Sequence, residues 1–172
     1  MNHKTPEENY KVWRSMCEDS FGFLINKFGC SVSDEKSPSI GAYSICFENK
    51  KAMIRIIFAP TRLEFGVSIS PADGTKDYDL LELIIVQGGT IRLPKTGFAE
   101  HLNRNESKKE EVDVDWERTL RVDDLYDEKR VKDALLEYAK LLHKYGTFVF
   151  EGDRSVFERI DKARLKGPIL QF

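Results

Sequence analysis

The chain has 172 residues, 41% hydrophobic and 33% charged, with 27 basic and 29 acidic side chains giving a net charge of −2. At this length a folded chain buries roughly 70% of its unfolded surface, so one domain of 172 residues is stable without a disulfide or metal staple. The near-neutral balance lacks the basic surplus that marks a nucleic-acid partner, and no run approaches the ~18 apolar residues of a membrane span.

The first helix is announced by Thr5, Pro6 and Glu8. Together they form a Thr-x-x-Glu capping box with proline at the first helical position. Tyr10, Trp13, Cys17, Phe21, Leu24 and Phe28 then recur at three- and four-residue steps, making one apolar stripe before Gly29. Gly22 lies inside the stripe and marks a point where the helix can kink or divide. Residues 1–8 have no apolar core and do not read as a signal peptide, so the protein is expected in the cytoplasm.

Three hydrophobic runs follow, 40–48, 52–58 and 63–70, separated by short polar turns. In the last, Leu63, Phe65, Val67 and Ile69 alternate with Glu64, Gly66, Ser68 and Ser70, the period of a half-buried strand. The middle run is apolar on both sides, which places it inside a sheet covered at least partly on both faces. Arg55 is the exception there, and it is expected to reach the sheet's margin or to pair with a carboxylate. The three runs predict an antiparallel meander.

Residues 78–86 carry Leu80, Leu81, Ile84 and Ile85 at helical spacing, with Asp77 or Asp79 as cap and Gly88-Gly89 as stop. Residues 90–115, with Pro94, Gly97 and a polar tract at 103–111, read as an irregular surface loop. Loops of this length in compact domains are often lids or binding segments. A second long helix starts at Asp127, carries Val131, Leu135, Tyr138 and Leu142 on one face and closes at Gly146. Residues 147–151 are expected to be extended, anchored by Phe148 and Phe150. Asp153 is expected to cap a last helix with Val156, Phe157 and Ile160 inward and Gly167-Pro168 beyond it. The order predicts a single α+β domain over 1–172, its antiparallel sheet covered by N-terminal and C-terminal helices.

Little in the pattern points to catalysis. His3, His101 and His143 are the histidines; His143 falls on the solvent side of its helix, and His101, with Glu100, lies in the irregular loop. Those two are the proton-transfer candidates if the loop closes over a pocket. Cys17 and Cys46 sit in apolar settings and read as packing, and the odd count of three cysteines suits a reducing compartment. No Cys-x-x-Cys, His-Glu-x-x-His or phosphate-binding glycine pattern occurs, so no metal or cofactor is expected. Asp113, Asp115, Asp123 and Asp124 form an acidic group around Trp116, within a stretch that has ten acidic and seven basic residues over 101–130. An aromatic side chain among acids is a plausible anchor for a basic partner. Arg154, Arg159, Lys162, Arg164 and Lys166 alternate with Glu158 and Asp161 and read as a solvated face without aromatic platforms for bases.

An aromatic-rich helix ending in Phe28-Gly29 leads into the meander; later come Tyr138-Ala139-Lys140-Leu141-Leu142-His143-Lys144-Tyr145-Gly146, then Phe150-Glu151-Gly152-Asp153 with Phe157 beyond. This order resembles small bacterial α+β proteins, some of them similar to the immunity proteins that neutralise polymorphic toxins. The resemblance rests on stripes, glycines and caps, and carries over no catalytic residue. It implies a non-enzymatic role in which the surface binds and occludes another protein, with Asp113, Asp115, Trp116, Asp123 and Asp124 as the contact candidates. The alternative is a small enzyme or ligand-binding protein with 90–115 as its lid. The sequence fixes neither an oligomeric state nor the partner's identity.

Overall fold

The computed structural model describes residues 5–37, 42–59, 64–92, 114–115 and 127–169. Helix α1 (Pro6–Phe28) begins on the expected capping box: the Thr5 hydroxyl accepts from the Glu8 N–H at 3.2 Å, and the Glu8 carboxylate accepts from the Thr5 N–H at 2.7 Å. It ends where Gly29 turns left-handed at φ 64° and returns its N–H to the Ile25 carbonyl, a conformation only glycine adopts without strain. Gly22 does not divide it; the helix runs through without a break.

The sheet is larger than the three predicted runs. Strand β1 (Ser31–Ser37) precedes β2 (Ala42–Glu48), β3 (Ala52–Ala59), β4 (Glu64–Pro71) and the two-residue β5 (Tyr78–Asp79). They lie in sequence order, each antiparallel to the next. The sequence of β1 is polar except for Val32, so it carries no period-two signal. Its conformation comes from pairing along its whole length with β2, from Ser31 opposite Glu48 to Ser37 opposite Ala42. The expected central position of the two-sided run holds, since β3 is third of five.

One face of the sheet carries Tyr43, Ile45, Phe47, Ile54, Ile56 and Phe58, all buried. The α1 stripe lies on this face, with Trp13 stacked on Phe58 and Phe21 against Phe47. Each fully buried side chain of this size contributes roughly 1.5–3 kcal/mol by leaving water. At the sheet's edge α1 is fastened by charge: Arg14 bridges Glu18 and Asp34, each at 2.8 Å, and the Tyr10 hydroxyl donates to Asp34. Burial first, and Asp34 second, push the Tyr10 phenol up to about 12. The opposite face holds Ser44, Cys46, Met53, Arg55, Ile57 and Ser68, all half-buried. There Arg55 pairs with Asp77 at 3.3 Å.

Helix α2 (Leu80–Val86) follows β5 directly; Asp79, rather than Asp77, caps it, and Glu82 completes a second capping box. The pair β6 (Ile91–Arg92) and β7 (Val114–Asp115) runs parallel, so both ends of the expected irregular loop are paired. Most of that loop lies outside the described residues. Helix α3 (Glu128–Tyr145), capped by Asp127, packs alongside α1 and brings Tyr138 against Phe65 of the sheet.

Residues Thr147–Glu151 form a 3-10 turn rather than an extended piece. The Val149 and Gly152 amides return to carbonyls three residues back, so these groups are satisfied within the turn rather than by a strand. Helix α4 (Ser155–Arg164) closes the fold. Asp153 accepts from the Ser155 N–H at 2.8 Å as expected of a cap, but it stands one residue ahead of the N-cap position, which Arg154 occupies.

Candidate functional site

The corner where α2 meets α4 gathers a group of polar contacts between residues more than 70 positions apart in the chain. On the inward side of α4, Val156, Phe157 and Ile160 are buried, and Phe157 stacks on Tyr78 at 4.8 Å. Two ionic contacts lock this packing. Arg164 crosses the Tyr78 ring at 5.0 Å and grips Glu82 with two hydrogen bonds, at 2.9 and 2.6 Å. Asp161 accepts from Lys76 at 2.7 Å and from the Tyr78 hydroxyl at 3.3 Å. Glu82 is 8% exposed, and a carboxylate this deep is tolerable only with such a two-pronged partner. The grip raises the Arg164 guanidinium further above its ordinary value, and Lys76 holds Asp161 below the usual carboxylate range. Asp79 goes the other way: burial pushes its carboxyl up, with Glu82 adding to the shift.

Because Arg164 turns inward, Arg159, Lys162 and Lys166, at three- and four-residue steps, fall together on the other side. They line an open groove of about 540 Å³. Its apolar lining comes from Ile85 and Val86 of α2, Ala163 of α4 and Ile169 after it. Arg159 donates to the Val86 carbonyl and, at 2.8 Å, to the Gln87 side chain, capping the carbonyl end of α2 with a cation. Lys162 and Lys166 are exposed and take no carboxylate partner among the described residues. Among the described residues the groove's lining contains three cations and no acid. Next to Lys166 stands Leu165, 88% exposed, against 39% and 38% for Ile25 and Leu136, the other exposed large apolar residues described.

A second depression, of about 550 Å³, lies at the β2–β3 turn among Phe28, Glu48, Asn49, Lys50 and Lys51. It carries both signs of charge, and Asn49 is occupied there in holding the fold. Its amide donates to the Phe28 and Phe150 carbonyls, and its oxygen accepts from the Lys51 and Ala52 amides.

Of the residues singled out from sequence, Asp115 sits in β7 opposite Arg92. Asp113, Trp116, Asp123, Asp124, Glu100 and His101 lie outside the described residues. His143 is exposed on α3, its ring edge-on to Phe23 at 5.5 Å. Cys17 is fully buried and its thiol is pushed up by burial, and Cys30 is raised to about 11 for the same reason. Among the described residues no group of three His, Cys, Asp or Glu side chains is arranged to hold a metal ion. No helix there is long and apolar enough to cross a membrane.

The basic group read as a solvated face of mixed sign is divided between ion pairs and a groove. Arg154 pairs with Asp73 and Arg164 with Glu82, while the other three line the groove. The three- and four-residue spacing of Arg159, Lys162 and Lys166 was the available signal. Comparison of the chain with family models, curated proteins and solved structures finds no match.

Proposed function

We propose that this chain is a non-enzymatic protein-binding domain that occludes a partner, the role implied by its resemblance to immunity proteins, and that the α2–α4 corner is its docking surface. The observation that carries this reading is Leu165, 88% exposed and next in the chain to Lys166, which lines an open groove with apolar and cationic side chains. A single exposed leucine is ordinary; one adjoining an apolar depression offers an anchor and a seat together. Elsewhere, polar side chains that meet across elements serve the fold: Arg14 with Asp34, Arg154 with Asp73 and Arg164 with Glu82 each tie one segment to another. A rigid corner suits docking, because little order has to be gained on association.

The test uses the full chain and its Leu165→Asp variant as parallel baits, after equal thermal midpoints show that both are folded. A protein retained by the wild type and lost by the variant is the expected result. Capture indifferent to the substitution, or none from the organism's own lysate, overturns the reading.

A further inference from the structure

Resting on that reading, we infer that the segment seated in the α2–α4 groove is acidic and bears apolar side chains: a stretch of the partner's chain in which carboxylates alternate with leucine- or isoleucine-like residues. The sign follows from the lining. Arg159, Lys162 and Lys166 face the groove with no acid among them, and the two lysines have no carboxylate partner among the described residues. The acids on α4 do not neutralise them: Asp161 is engaged by Lys76 and Tyr78, and Glu158 makes no ion pair with any of the three among the described residues. Cations left in this state raise the local concentration of an anionic partner and fix its register.

The apolar requirement follows from Ile85, Val86 and Ile169, which a purely charged ligand would leave poorly covered. A volume of about 540 Å³ takes a few side chains rather than a folded element. Two other occupants fit less well. Single-stranded nucleic acid binds through stacking on aromatic rings, and the lining has none among the described residues. A second copy docked symmetrically would set these cations against themselves.

The probe is a capped hexapeptide alternating glutamate and leucine, titrated into the full chain and followed by amide NMR. Three controls accompany it: the lysine-for-glutamate peptide, an all-glutamate peptide and an oligothymidine. Saturable shifts at 85–86 and 159–169 are expected with the glutamate–leucine peptide, weaker ones with polyglutamate, and none with the lysine peptide. Lys162→Glu with Lys166→Glu should weaken binding roughly tenfold, and added salt should weaken it in the wild type. If that double variant is not folded, Lys162→Gln with Lys166→Gln should give a smaller loss of the same sign. No saturable shift, equal response to the lysine peptide, tighter binding of oligothymidine, or a concentration-dependent dimer formed through these residues each overturns the inference. Leu165-dependent capture together with an inert acidic peptide leaves the docking surface standing and removes only its acidic occupant; capture indifferent to Leu165 removes the surface itself.

Discussion

Two carboxylates within one turn of α2 have different partners, although both belong to the same capping box. Glu82 is gripped by Arg164; Asp79 accepts from the Leu81 N–H, at 2.7 Å, and from the Glu82 N–H, but the cost of burial outweighs them and its carboxyl is raised. The sign for Asp79 is fixed by linkage. With its folded value above the unfolded one of about 3.9, the native state binds the extra proton between them, so stability falls as pH rises through that window. Asp79→Asn keeps a good cap for Leu81 and cannot ionise. It should match or exceed the wild type in urea midpoint at neutral pH and show a flatter profile from about pH 4 upward. Midpoints lower than wild type throughout that range would show that the anion itself is needed. From sequence Asp79 was legible as a cap. Its discomfort was not, because the burial comes from α3 and α4, far along the chain.

Glycines separate what an element needs locally from what its neighbours impose. Gly22 lies within α1, has an ordinary helical setting, and a Cβ built there meets nothing within 4 Å. Gly22→Ala should therefore stabilise by about 0.5–1 kcal/mol, since the residue's flexibility is only a cost there. Gly89 looks like an unremarkable helix stop, yet a Cβ there collides with the Ile84 side chain and comes within 3.1 Å of the Tyr145 ring. Gly89→Ala should cost about 1–3 kcal/mol through overpacking. Thermal or urea unfolding of the two variants checks both signs; a destabilised Gly22→Ala would mean that the helix does bend there in solution. The element boundaries repeat the contrast. Both capping boxes and the Gly29 stop are written in neighbouring residues and were readable, whereas β1 is a strand only because β2 supplies its partner groups.

At the scale of the whole molecule, β2, β3 and β4 carry the buried face of the sheet under α1 and α3, and β3 is paired on both sides while β1 is paired with β2. Opening β1 exposes little apolar surface; opening β3 dismantles the core. Amide exchange should therefore be slowest in β3, with Ile54 and Ile56 near the global limit, and faster by orders of magnitude in β1. Equal protection in both strands would show that the sheet opens as a single unit. The same architecture makes the docking corner a composite: α2 and α4 meet through Glu82 and Arg164, which stand 82 residues apart in the chain.

The sequence by itself determined the α+β class, three strands of the meander, the two long helices and their caps. Each depends on contacts within a few residues, where periodicity and capping chemistry are directly visible. The tertiary structure decided the polar edge strand, the 3-10 turn, the raised Asp79 carboxyl and the division of the basic group into ion pairs and groove. Those depend on which distant segments come into contact, and Asn49 shows why: its amide joins carbonyls of Phe28 and of Phe150, the latter 101 residues away, so no local window contains the reason for its position.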